Sequence, residues 1–197
     1  PVRCAEGSSR RAEGEEVRSV RGCDARRRAS DRLPVGSRHH ERQLGLGDAE
    51  GELTLAYDPH LSGGGHLEIG EAAARDGART LLREKVRVVT LDDYLGPQLA
   101  KVDVVKMDIE GAEGLALKGM ARIIDRSRNL KMMMEFCPRM MNAFACDANF
   151  VVQFLESRDF MCWEIGVDGG LKPTRWQSLL LEPDLIRNVI VSRQGLG

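Results

Sequence analysis

The chain has 197 residues, a length that suits one α/β domain with its own hydrophobic core. Its residues are 42% hydrophobic and 30% charged, and the net charge of −1 gives no reason to expect nucleic acid or an anionic membrane as a partner. No run of about eighteen apolar residues occurs, and the first residues lack the apolar stretch of a secretory signal, so we expect neither a membrane span nor secretion.

The cysteines and histidines exclude several kinds of site. The five cysteines are odd in number and scattered, which argues against a disulfide framework and a zinc site and is typical of a reducing cytoplasm. The last of the four histidines is His66, so a Ser-His-Asp or Cys-His mechanism in the C-terminal half is excluded. The cysteines are Cys4, Cys23, Cys137, Cys146 and Cys162.

The composition changes sharply near residue 43. Residues 1–43 hold eleven Arg, no Lys and seven acids, a charge of +4, and contain no Phe, Trp, Tyr, Ile or Met. So few apolar groups do not offset the entropy of ordering a chain. We therefore predict an atypical, Arg-rich leader over residues 1–42, disordered or poorly packed, and a folded domain over residues 43–197. A basic tail that contacts phosphate is the alternative interpretation of the leader.

The first predicted elements of the domain are strands. Residues 52–57 and 85–90 alternate apolar and polar side chains, and a turn at residues 47–51 precedes the first of them. A flexible glycine loop follows at residues 62–65, and Thr90 is placed to cap a short helix over residues 91–95.

The next segments alternate between strand and helix. Residues 102–107 predict a strand covered on both faces, and helical spacing follows from residue 112 to residue 124. Residues 130–136 predict the next strand, which Pro138 halts, and Asp147 can cap the helix after it. Residues 160–165 and 188–192 predict two closing strands. This order predicts a doubly wound α/β sheet.

Acidic residues follow the strand at residues 102–107. Ligands of open α/β sheets bind beyond the carboxyl ends of the strands, where Asp108 and Glu110 lie, and period two puts Lys106 on their face. Glu135 holds the matching place on the next strand. Converging carboxylates need a shared positive or protic partner, which a sulfonium, an alcohol or amine, or a divalent metal would supply.

Each of these residues also has a structural interpretation. Asp108 alone could be a helix cap, and Lys106 could simply pair with it. Glu113 is expected to be a first-turn partner of the helix dipole rather than a catalyst. Met132, Met133 and Met134 are expected to pack in the core.

Taken in order, these segments resemble the FkbM methyltransferase family. The resemblance covers roughly residues 43–193, and the KMDIEGAE sequence at residues 106–113 is its most specific part. It includes residues 44–55, 58–65, 89–95, 102–113 and 117–119, with the strands of Glu135 and of residues 188–192.

The resemblance implies a class I, Rossmann-like and mostly parallel methyltransferase sheet with an antiparallel C-terminal strand. It implies S-adenosylmethionine as cofactor and a hydroxyl of a small metabolite or sugar as acceptor. The implied catalytic residues are Asp108, Glu110, Lys106 and Glu135, with Asp108 the first candidate for the base and Glu110 the second. The implied cofactor-binding residues are Gly47, Asp48, Ser62 and Asp108, with Gly47 and Asp48 near the adenine; no metal is implied.

One departure from the family leaves alternatives open. The glycine-rich loop after the first core strand and the acidic residue after the second have no counterpart, so these two strands are missing or aberrant in residues 1–42. One alternative is a truncated, inactive Rossmann-like fragment. Another is a metal-dependent hydrolase that uses Asp108, Glu110 and Glu135 as ligands.

Overall fold

The computed structural model describes residues 8–10, 16–18, 42–60, 65–68, 81–96, 101–144 and 146–196. Within these residues the chain forms three sheets and six helices. The first sheet is a small antiparallel pair of β1 (Ser8–Arg10) and β2 (Glu16–Arg18). None of the helices in these ranges is long and apolar enough to cross a membrane.

A four-stranded mixed sheet follows. It consists of β3 (Gly45–Leu46), β4 (Gly51–Tyr57), β5 (His66–Glu68) and β6 (Leu82–Val89), in the order β3-β6-β4-β5. Among its described strands, β3 and β6 are the only parallel pair. Ion pairs across the strands, such as Lys85 with Glu52 at 2.9 Å, line its exposed face. The strands predicted at residues 52–57 and 85–90 are thereby confirmed.

The second large sheet has five strands. These are β7 (Val104–Met107), β8 (Lys131–Phe136), β9 (Met161–Ile165), β10 (Leu171–Thr174) and β11 (Arg187–Ser192), in the order β10-β9-β11-β8-β7. The expected antiparallel C-terminal strand is confirmed, because β11 runs antiparallel to β8 and to β9. The sheet is mixed rather than mostly parallel: among the described strands only β7 and β8 run parallel in it. A short turn joins β9 to β10, and such a turn links only antiparallel neighbours.

Two predicted helix caps are present. Thr90 accepts a hydrogen bond from the Asp93 N–H at 3.1 Å, and Asp147 accepts one from the Phe150 N–H at 2.8 Å. The helices are α1 (Leu91–Leu95), α2 (Glu113–Gly119), α3 (Ala121–Arg126), α4 (Pro138–Met141), α5 (Ala148–Glu156) and α6 (Trp176–Leu180).

The helical segment after Gly111 is two helices rather than one. Met120 leaves the helical conformation, with φ −123° and ψ 18°. The Asp92 carboxylate then accepts the N–H groups of Arg122 and Ile123, both at 2.9 Å, and so caps α3 from a distant part of the chain. The periodicity was continuous across the break because both helices pack against the same core.

The core lies between the five-stranded sheet and the helices. Along β8 every second residue is fully buried, and the buried residues pack with those of α2, α3, α5 and α6 in one cluster. Met132 and Met134 belong to this cluster, which confirms their predicted packing, whereas Met133 points to the other face and is only partly buried.

The prediction that the strand at residues 102–107 is covered on both faces is wrong for the described part of the chain. Val104 is 70% exposed, and Lys106 on the same face is also exposed. The reason is that α2, α3, α5 and α6 all contribute buried residues to the core on the side of Met107. The mixed α/β class is confirmed; a second helical layer, which a doubly wound fold requires, stays a prediction.

Candidate functional site

The register of β7 and β8 sets the centre of the candidate site. Lys106 pairs with Met133 and Met107 with Met134, so the next residues along the two parallel strands are Asp108 and Glu135. The Lys106 ammonium lies 2.7 Å from an oxygen of Asp108. Burial and the neighbouring charge of Asp108 raise the pKa of Glu135, and Lys106 opposes this. The structure therefore brings these three predicted residues together.

A sharp turn connects β7 to α2. Glu110 and Gly111 both have left-handed backbone, with φ 56° and φ 102°. At Gly111 a Cβ atom would lie 2.6 Å from the carbonyl oxygen of Met140 and 2.9 Å from the ring of Phe144, so no side chain fits there. The turn allows the helix to begin directly after the strand and leaves the side chains of Asp108 and Glu110 at the strand end.

Among the predicted site residues, Glu110 has a carboxyl whose pKa is raised to near neutrality. Burial of its carboxyl is the main cause of the raised pKa of about 7, followed by the charges of Glu135, Asp108 and Glu113. Glu110 therefore interacts electrostatically with three other acids of this part of the chain. The convergence of their carboxylates on a shared ligand stays a prediction. A partly buried carboxyl with such a pKa can accept and release a proton at neutral pH.

Glu113 is the residue that sequence reasoning left out of the site. It is 1% exposed, and its Oε1 accepts the Ile109 N–H at 3.4 Å. Burial raises its pKa to about 7, although the backbone N–H groups of Glu113, Ile109 and Gly111 lower it. Its Oε2 is buried without a hydrogen-bond partner in the described structure. The signal in the sequence was the spacing of Glu110 and Glu113 across a glycine at a helix start.

Gly47 and Asp48 lie elsewhere. The backbone of Gly119, at the C-terminal end of α2, packs directly on the carbonyl group of Gly47, and Lys118 pairs with Asp48 at 3.0 Å. Since α2 has seven residues, this end lies about 10 Å along the helix axis from Glu113. The structure thus does not join Gly47 and Asp48 to Asp108 and Glu135, and Ser62 lies outside the described residues.

The geometry bears on the metal alternative. In the described ranges no three His, Cys, Asp or Glu side chains are arranged to hold a metal ion. Among the described residues the acids of the site therefore couple electrostatically without being grouped as metal ligands.

An open groove of about 630 Å³ lies away from the acids. Phe160, Trp163 and Trp176 are among its lining residues, and none of the predicted site residues lines it. The Trp176 indole N–H is used within the fold, where it donates to the carbonyl of Phe160 at 3.0 Å. We place the candidate site at the acids, where the strand ends and the shifted pKa values coincide.

Fold and site together define an α/β domain with proton-accepting groups beyond the ends of parallel strands. The family described as Methyltransferase FkbM domain matches residues 10–162, which is more than half of the chain. The chain therefore belongs to the FkbM methyltransferase family. The match begins within the Arg-rich segment and extends past α5. No curated protein and no solved structure matches the chain significantly.

Proposed function

We propose that this chain transfers a methyl group from S-adenosylmethionine to a hydroxyl of a small metabolite or sugar. Family membership supports methyl transfer. The observation that carries the proposal is the position of Asp108 and Glu135 at the adjacent ends of two parallel strands, with Glu110 coupled electrostatically to both. This is where an α/β sheet binds its ligands.

The negative charge of the acids complements the positive charge of the proposed cofactor. S-adenosylmethionine, when bound, supplies an electrophilic methyl group on a positively charged sulfur. Asp108 and Glu110 would border that methyl group, since anionic side chains stabilise a nearby positive charge. Gly47 and Asp48 stay candidates for the adenine side, although Asp48 is engaged by Lys118 at the far end of α2.

Two observations favour Glu110 over Asp108 as the base in this proposal. A base works best when its pKa lies near the operating pH, and Glu110 has a pKa of about 7. Asp108 instead forms an ion pair with Lys106 at 2.7 Å. We therefore assign Glu110 to take the proton of the acceptor hydroxyl, and Asp108 with Lys106 to orient the reacting groups.

Titration calorimetry with S-adenosylhomocysteine tests cofactor binding by the full chain. We expect a measurable heat and a raised melting temperature for the wild type, because a ligand that binds only the folded state stabilises it. No heat and no thermal shift would contradict the proposal and favour the inactive fragment.

Turnover tests the residue assignments. Glu110→Gln should lower kcat by roughly 10²–10⁴-fold, the usual contribution of a general base. Asp108→Ala should abolish turnover because it removes alignment. Glu52→Gln is the matched control, since Glu52 pairs with Lys85 on the other sheet. Unchanged kcat in both Glu110→Gln and Asp108→Ala would remove the cluster from the mechanism.

A further inference from the structure

The turn between β7 and α2 is held from two sides. On one side, Gly111 packs against the Met140 carbonyl and the Phe144 ring, a contact so close that only glycine fits there. On the other side lies the carboxyl of Glu113, which accepts the Ile109 N–H and faces the N–H of Gly111. The left-handed conformation of Glu110 lies between these two contacts.

We propose that Glu113 is a positioning residue: its buried carboxyl holds the turn at residues 109–111 and thereby fixes where Asp108 and Glu110 stand. The role in methyl transfer rests on the proposed function, whereas the contact with the turn does not. Glu113 is buried, so it acts through the turn rather than by touching a ligand.

The environment of the Glu113 carboxyl supports this role. Burial of an acid costs stability unless hydrogen bonds compensate, and here the compensating donors are backbone N–H groups of the turn and of the start of α2. Among the described residues, no side chain or backbone group of the surrounding core forms a hydrogen bond with the buried Oε2. The carboxyl is therefore tied to the turn more strongly than to the rest of the fold.

The charged groups that face Glu113 connect it to the acids of the site. Glu110 precedes it across the turn, Glu135 approaches from β8, and the two interact electrostatically with Glu113. Asp108 and its partner Lys106 lie at the end of β7. A change at residue 113 should therefore alter both the geometry of the turn and the proton affinity of Glu110.

Amide hydrogen exchange measured on the full chain tests the contact with the turn. Glu113→Ala removes the acceptor, so the amides of Ile109 and Gly111 should exchange at least about tenfold faster. Glu113→Gln keeps an acceptor oxygen and should restore slow exchange. Glu52→Ala, on the other sheet, is the control and should leave both amides unchanged. Equal exchange rates in wild type and Glu113→Ala would overturn the proposal.

Carboxyl carbon NMR of Glu113→Gln tests the electrostatic part with a variant that keeps the shape of the side chain. The apparent pKa of Glu110 should fall, because one repelling carboxyl is gone, whereas Glu52→Gln should leave it unchanged. A residue that only filled space would not move this pKa. An unchanged pKa of Glu110 in Glu113→Gln would overturn the proposal. This measurement does not depend on Glu113→Ala, so it decides the question even if that variant does not fold.

Kinetics connect the turn to the reaction. Glu113→Ala should lower kcat with little change in the KM for the acceptor, since alignment rather than binding is lost. Glu113→Gln should restore most of kcat; failure to do so overturns the positioning role. If the wild type shows no methyl transfer, the proposed function fails, while exchange and titration still decide whether Glu113 holds the turn.

Discussion

At Gly111 both the backbone conformation and the packing require glycine. Its φ of 102° disfavours any side chain, and the Met140 carbonyl and the Phe144 ring occupy the space that a Cβ would need. The sequence marks this glycine only as part of the resemblance. The need for it depends on residues about thirty positions further along, which local patterns do not reveal.

Gly111→Ala should lower the free energy of unfolding by about 2 kcal/mol or more, because left-handed strain and a steric overlap add. Gly51→Ala is a good control, since a Cβ there meets no atom within 4 Å. Urea denaturation of the two variants checks this. Equal stability of the two would show that the turn relaxes without cost.

Local sequence patterns identify most of the charged residues of the candidate site, but they do not reveal the role of one acid, Glu113. Lys106, Asp108 and Glu135 follow from strand period and from the rule for strand ends. The burial of Glu113 does not, because the start of α2 becomes buried only when Met140, Phe144 and Cys146 pack over it. A sequence alone shows an exposed-looking first-turn acid.

At the level of elements, the TLDD sequence before residue 94 serves two helices. Thr90 caps α1, which the sequence predicts, and Asp92 caps α3, which lies about thirty residues away. Asp93 pairs with Arg122 of the same α3. A cap supplied from another element is invisible to local rules, and so was the break between α2 and α3.

Asp92→Ala should destabilise the protein by about 1 kcal/mol, the usual cost of losing a helix cap. The side chain of Asp92 is 8% exposed and accepts two backbone N–H groups, so water replaces it poorly. Asp184→Ala, which removes an exposed pair with Arg139, is the control and should have little effect. Chemical denaturation that ranks the two variants equally would contradict the capping role.

At the scale of the whole molecule, the sequence predicted most strands and the order in which they alternate with helices. It did not predict that β3, β4, β5 and β6 form a separate sheet or that β9 and β10 form a hairpin. Strand pairing depends on partners distant in sequence, so periodicity identifies a strand without identifying its neighbours. The extent of the parallel region was overestimated for this reason.

The stability of the folded protein should decrease as pH rises through neutrality. Glu110 and Glu113 have pKa values of about 7 in the folded state, above their ordinary 4.5, so the folded state binds more protons than the unfolded state between these values. The stability that they contribute is complete below about pH 4.5 and is lost as the pH rises through about 7. Glu135 and Asp108 add to the repulsion, and Lys106 reduces it.

Melting temperatures at about pH 5.5 and about pH 8 measure this effect. Glu113→Gln carries no charge at either pH, so its melting temperature should change less between the two conditions than that of the wild type. Glu52→Gln should retain the wild-type dependence. Parallel pH profiles for wild type and Glu113→Gln would show that Glu113 does not titrate with a raised pKa.

The contact of Gly119 with the carbonyl of Gly47 makes two distant positions of the chain depend on each other. The backbone of Gly119 contacts the backbone carbonyl of Gly47 without a side chain between them. The size of residue 119 therefore sets how closely the four-stranded sheet approaches α2. Any side chain at that position would overlap the Gly47 carbonyl. To relieve the overlap, residue 47 and the following strand β4 would have to move away from α2, which would separate Lys118 from Asp48. If the four-stranded and five-stranded sheets move as one unit, substitutions of Gly119 should destabilise the protein. If the two sheets move independently, such substitutions should be tolerated.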